Sequence, residues 1–293
     1  MLVFPKHIDR RKKLQQNIFF WLARIISVLI IGILFLILFF ILKRGLPVVT
    51  WNFFSEMPTE GMTQGGIFPA IVGSVYLVLG SMLFAFPIGV LSGIYVNEYA
   101  QEGKLKLFIK MMTNNLAGIP SIVFGLFGMA LFVNKLNFGA SILAGSLTLA
   151  LLALPLIIRT TEESLKAVDS TFRHASYALG ASKFYTIRKI VIPIAFPNII
   201  TGLILGIGRV SGETAPILFT VAAYFLPKLP QSVFDQCMAL PYHLYVVATS
   251  GTNVEASRPI AYGTAVVLIG IVFIVNLSAN YLRNHFGKKV KMK

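Results

Sequence analysis

Charge and cysteine are what this 293-residue sequence has least of. Charged residues make up 13% of it and hydrophobic residues 56%. Soluble domains carry about 25% charged residues, so much of the apolar surface here must face something other than water. Cys237 is the single cysteine, which excludes an internal disulfide and a thiolate metal cluster. The histidines His7, His174, His243 and His285 are scattered without ligand spacing, so no metal site is expected. Also missing is the G-x-x-x-x-G-K-[ST] loop that cradles nucleotide phosphates. The lysines that follow a glycine, Lys104 and Lys288, are themselves followed by Leu105 and Lys289. This chain therefore does not hydrolyse ATP alone, and no cofactor is expected in it. No repeat of fixed period and no low-complexity stretch is present.

What is abundant is long apolar runs. A hydrocarbon core of about 30 Å needs roughly 20 apolar residues in a helix. Six segments qualify, at about 17–42, 67–96, 116–133, 140–158, 196–222 and 261–282. The expected fold is an all-α integral membrane protein with six transmembrane helices. Pro120, Gly125 and Gly128 interrupt the third segment, which leaves re-entrant structure open there. The first run ends in Lys43-Arg44 without a small-x-small cleavage site, which reads as a retained anchor rather than a removed signal. Trp51, Phe53, Phe54, Tyr224, Tyr242 and Tyr245, in the loops at 43–66 and 223–260, suit an interfacial aromatic belt.

The net charge of +15 suggests nucleic acid until the basic residues are placed. With the N-terminus inside, 19 of the 26 Lys and Arg fall in the inner segments and 5 in the outer ones. Arg24 and Arg209 lie within spans. This bias orients both termini to the cytoplasm and accounts for the charge without nucleic acid.

The longest inner loop, 160–193, carries His174-Ala175-Ser176, three residues, Gly180, nine residues, then Ile190-Val191-Ile192-Pro193. Small residues followed by a glycine suit two short helices meeting at a turn. Ala175 and Ser176 leave a face of little bulk, fit for insertion into a groove. The spacing resembles the Glu-Ala-Ala loop of ABC-importer permeases, with His174 in place of the glutamate and Ser176 in place of the second alanine. The resemblance implies a type I ABC-importer permease fold, in which this loop forms a coupling helix seated on a separate ATP-binding subunit.

Arg209 and Glu213, four residues apart in the fifth span, would share a helical face and pair. A mid-bilayer charge costs about 2.5–3.5 kcal/mol or more and points to function by default. Gly202, Gly206 and Gly212 would let a neighbouring helix approach, and Pro216 would bend the span. The run Gly208-Arg209-Val210-Ser211-Gly212-Glu213-Thr214-Ala215-Pro216 resembles the R-x-x-G-E-T-A-P signature of phosphate-transport permeases of the PstA type. The segments 154–163 and 65–67 are also similar, and the likeness runs from about 65 to 282.

The resemblance implies a permease subunit of an importer for inorganic phosphate, and not an enzyme. It implies a prokaryotic inner (plasma) membrane and four partners: a second permease of the PstC type, a PstB-type ATP-binding dimer that holds ATP and Mg, an extracytoplasmic phosphate-binding protein, and the bilayer. Arg209, Glu213 and Arg159 are the expected pathway residues. His174, Ala175, Ser176, Gly180, Ile190 and Pro193 are expected to form the coupling loop. Residues 1–66 would be tail, first helix and external loop, and 67–293 the permease core. A permease for another oxyanion (sulfate, molybdate or phosphonate) stays open.

Overall fold

The computed structural model describes residues 9–250 and 253–291, with side chains for 12–250, 253–278, 280 and 281. The expected basic residues at 1–8 and 292–293 lie outside the described residues. Twelve helices occur among the described residues. Among them are five helices long and apolar enough to cross a membrane, and one bent pair that makes a sixth if it crosses as one span.

Helix α1 (Asp9–Gly45) packs beside α12 (Val254–Lys291). Leu29, Phe35 and Leu36 are more than half exposed, as a lipid-facing anchor requires. The α1–α12 contact is fixed at one end. Arg44 lies 4.2 Å over the Phe40 ring and donates a 3.3 Å hydrogen bond to the Tyr262 hydroxyl, an amphipathic clamp suited to a membrane boundary.

The following external segment folds on itself. A short helix α2 (Trp51–Ser55) is capped by Thr50, whose hydroxyl accepts from Phe53 N. Strands β1 (Pro58–Thr59) and β2 (Gln64–Gly65) pair antiparallel. Trp51 is 82% exposed, as a belt residue would be, but Phe53 is 3% exposed and packs under the loop with Met62, Ile67 and Leu240. Phe53 is therefore a core residue and not part of the aromatic belt.

The centre is α3 (Phe68–Ile94) against α6 (Ile142–Lys166). A methyl group on Gly89 would stand 2.6 Å from Ile157 Cγ2, and one on Gly93 2.7 Å from Thr161 Cβ. Glycine there lets two backbones meet without hydrophobic drive from water. Leu77, Met82, Ala85, Leu149, Ala153 and Ile157 fill the seam. Beyond Ile94 the helix widens to i→i+5 turns over Tyr95–Tyr99.

The third span differs from a simple 116–133 helix. Helix α4 (Lys104–Ala117) and α5 (Ser121–Gly128, widened on to Lys135) meet at 101°. Pro120 removes a backbone donor and restricts Ile119, so the helix stops at Gly118. Helix α4 lies across the end of α6.

Candidate translocation site and coupling loop

The fifth span also differs from expectation. Helix α9 (Ile192–Ser211) stops at Gly212 and a short helix α10 (Ala215–Thr220) follows. The expected continuous helix over 196–222 is thus a broken one. Gly212 N and Glu213 N donate to the carbonyls of Arg209 and Val210 at 3.3 and 3.2 Å, closing α9 with tight turns. Pro216 sits at the start of α10, where a missing N–H costs nothing, so it accompanies a break and not a bend. Helix α10 packs on α5 and ends where its Thr220 carbonyl accepts from Ser141 N, just ahead of α6.

Glu213 therefore does not share a helical face with Arg209, yet the two meet. Arg209 Nε lies 3.9 Å from Glu213 Oε1, with the side chains 35% and 19% exposed. That distance is an ion pair without a hydrogen bond. Val210 and Ile217 join the same core cluster as Leu149 and Ala153, which sets the break beside the middle of α6. Glu213 also lines a small space with Ser74, Ser211 and Pro241. Asn276 on α12, beside Gly208, puts an amide one residue from Arg209. Nothing in the residue pattern marked it.

Of the three glycines, Gly202 faces the Thr160 side chain so closely that a Cβ has no room, and Gly206 lies at ordinary contact with Ile157 and Met82. Gly212 is different. A Cβ there would meet only the Arg209 carbonyl at 4.0 Å, so it terminates α9 and admits no neighbouring helix.

Arg159 stands apart from the Arg209 pair, toward the far end of α6. Its Nε bonds Glu163 Oε1 at 3.0 Å, in a pair 66% and 61% exposed. With Lys110, Thr113, Asn114, Glu162 and Lys166 it lines a cavity of about 240 Å³. Glu162 is held between Lys166 at 2.6 Å and Lys110 at 3.0 Å, which ties α4 to α6.

The 160–193 segment is helical further than expected at its start, since α6 runs on to Lys166. Then come α7 (Ser170–Ala178) and α8 (Lys183–Thr186, continuing through wide turns to Val191). Asp169 caps α7 by accepting from Thr171 N at 2.8 Å, and Ser182 caps α8 by accepting from Tyr185 N. The hydrogen bonds from Thr171, that of its backbone N–H first and that of its side chain second, lower the Asp169 pKa. Gly180 turns between the helices at φ +79, with open space around it.

His174, Ala175 and Gly180 are exposed, as are Phe172 (50%), Leu179 (89%) and Phe184 (62%). Ile190 is half-buried and Pro193 exposed, at the start of α9. Ser176 differs from its expected outward role. It is 5% exposed and its hydroxyl meets Thr186 Oγ1 at 2.8 Å, so it locks α7 to α8 from inside. Beside the exposed small residue Ala175, the loop surface thus also carries large apolar and aromatic side chains, among basic ones such as Lys183 and Arg188. Sequence reasoning also passed over Glu98, which pairs with Arg173 at 2.6 Å.

An apolar helix broken at a slack charge pair, with an exposed two-helix loop at its other end, fits a transport permease. The chain belongs to the family described as the binding-protein-dependent transport system inner membrane component, which matches residues 85–292. It is 34% identical over 290 residues to the probable ABC transporter permease protein YqgI of Bacillus subtilis (strain 168), covering 95% of this chain and 97% of that one. It is 35% identical over 252 residues to the phosphate transport system permease protein PstA 1 of Mycobacterium tuberculosis (strain CDC 1551 / Oshkosh), covering 84% and 81%. Its fold is similar to a solved bacterial ABC transporter involved in import of the acidic polysaccharide alginate, at TM-score 0.66 and 14% identity over 94% of this chain and 99% of that one. This chain is an ABC-importer permease and an inner membrane component, not an enzyme.

Proposed function

We propose that the chain is the permease subunit of an ATP-driven importer of inorganic phosphate. The observation that carries this reading is the Arg209–Glu213 pair at the α9–α10 break. An arginine fork takes an oxyanion bidentately, and a carboxylate 3.9 Å away neutralises it without locking it. Glu213 shields Arg209 until the anion arrives, and the pair re-forms as the anion leaves. Tight binding here would stall transport, so selection belongs mainly to an external binding protein. The likeness to the PstA 1 permease over most of both chains supports phosphate as the cargo.

By the same reading, a second permease completes the pathway, and an ATP-binding dimer docks on α7 and α8 from the cytoplasm, where both termini lie. ATP and Mg belong to that dimer. Arg159 is a further pathway candidate through its cavity. The experiment is phosphate uptake by the assembled complex carrying Arg209→Gln. Uptake is expected to fall at least about 100-fold, since a neutral amide offers no fixed charge to the anion. Wild-type uptake would overturn the pathway role. Competition by sulfate, molybdate or phosphonate equal to that by phosphate would reassign the cargo to another oxyanion.

A further inference from the structure

The guanidinium of Arg173, in the first turn of α7, has four acceptor contacts. Nη2 donates to Glu98 Oε1 at 2.6 Å and to the Leu165 carbonyl at 2.9 Å. Nη1 donates to the Val168 carbonyl at 2.9 Å, and Nε reaches Glu98 Oε2 at 3.4 Å. Glu98 also accepts from Asn97 Nδ2 at 2.9 Å. The Arg173 and Glu98 side chains are only 17% and 6% exposed.

The contacts reach two parts of the fold, the end of α6 and the turn after α3. Leu165 lies in the last turn of α6 and Val168 just past its end, where the helix dipole favours a cation. Glu98 lies in the widened turn after α3, where Ala100 N bonds the Tyr95 carbonyl at 2.8 Å. Widened turns re-aim side chains and concentrate at functional sites. One side chain thus joins the ends of α3 and α6, the two most closely packed spans, to the start of the exposed loop. Beneath it Leu165, Val168, Val191, Ala195 and Ile199 pack together, which carries the join to α9, the helix that ends beside Arg209.

We propose that Arg173 and Glu98 are positioning residues that make the α7–α8 loop move with α3 and α6 as one body, so that motion of the docked ATPase reaches the translocation break. This rests on reading α7–α8 as the ATPase-docking loop. A purely structural role predicts lost assembly or stability with phosphate imported per ATP unchanged in the complexes that do form. A positioning role predicts an intact complex that hydrolyses ATP without moving phosphate. Arginine is specific here because lysine cannot reach four acceptors in one plane.

The test uses the complete complex in proteoliposomes with its binding protein and inorganic phosphate, measuring co-purified ATPase, ATP hydrolysis and uptake together. In Arg173→Gln the ATPase is expected to co-purify as in wild type while phosphate imported per ATP falls about tenfold or more. Glu98→Gln, which leaves both carbonyl contacts, is expected to fall about threefold to tenfold, with Arg173→Lys between the two. An import-to-hydrolysis ratio within about twofold of wild type in Arg173→Gln would overturn the proposal. If Arg173→Gln does not assemble, Glu98→Gln decides by the same ratio. Loss of the ATPase from Glu98→Gln and Arg173→Lys alike would also overturn it. Gly180→Trp, run alongside, separates the two failures. If it keeps the ATPase bound and coupled, the docking reading falls. If it releases the ATPase while Arg173→Gln imports normally, only the positioning role falls.

Discussion

Two arginine–glutamate pairs sit at opposite ends of α9's neighbourhood, and they are built differently. Arg173 and Glu98 come from segments 75 residues apart, touch at 2.6 Å and are nearly buried. Arg209 and Glu213 are neighbours in the chain, yet their charged atoms stand 3.9 Å apart and the arginine is a third exposed. The first guanidinium meets a carboxylate and two helix-end carbonyls. The second meets one carboxylate oxygen at the limit of an ion pair. Under the roles proposed above, the pair that holds a shape is saturated and the pair that releases a partner is slack.

The sharpest way to break this contrast is to neutralise each carboxylate in turn. Glu98→Gln leaves a buried guanidinium without its anion and is expected to destabilise the chain by about 3 kcal/mol. Glu213→Gln is expected to cost less, because the pair stands 3.9 Å apart and makes no hydrogen bond. Thermal unfolding of the detergent-solubilised complex reads both. Equal losses would mean that the two pairs do the same structural job.

The two pairs were also unequally legible in the sequence. Arg209 and Glu213 were visible as charges in an apolar run, and their pairing follows from four-residue spacing. The break between them was not. Hydropathy over 196–222 is the same for a continuous and a broken span, and Gly212 with Pro216 reads equally as packing and bend. The turn in the 160–193 loop was legible because Gly180 acts locally; the caps Asp169 and Ser182 are local as well but went unread. Ser176 was misplaced because inward and outward faces of a helix nine residues long depend on the partner helix. Glu98 stayed hidden because nothing local links it to Arg173. Likewise α4 read as an inner loop, since its basic residues masked its helicity.

His243 sharpens the comparison from the other side, as a buried titratable group with no partner. It is 1% exposed, and among the described residues neither ring nitrogen has a hydrogen-bond partner. It lies on α11 (Leu240–Thr249), outside the long spans. Burial alone pushes its pKa down to about 4. The unfolded chain, with an ordinary imidazole near ~6.5, then binds the extra proton first. Stability is full above that value and declines as pH falls toward 4. Acidifying from neutrality to about pH 5.5 should remove on the order of 1 kcal/mol through this one residue. The pH dependence of the melting temperature should flatten in His243→Leu, and an unchanged slope would place the titration elsewhere.

Gly180→Ala tests the turn between α7 and α8 at similar scale. Nothing lies within 4 Å of the position of the added Cβ, so the cost is backbone strain alone at φ +79, about 1 kcal/mol. The ATPase should stay bound, because a methyl group adds little bulk to an exposed turn. Release of the ATPase by alanine would show that the partner's backbone approaches Gly180 more closely than the open space here requires.

The smallest effect on stability belongs to Arg159, and it discriminates most cleanly between a path residue and a surface one. Its partner Glu163 is four residues on, and both side chains are more than half exposed. Exposed pairs of this kind are worth well under about 1 kcal/mol, so Arg159→Gln should leave the melting temperature of the complex nearly unchanged. Any fall in phosphate uptake by this variant then cannot come from unfolding. It must come from the charge itself, at a cavity that also holds Lys110 and Lys166. Reduced uptake with unchanged melting would put Arg159 with Arg209, among charges kept loose for an anion. Unchanged uptake would leave it a headgroup-facing residue and confine the path to the α9–α10 break.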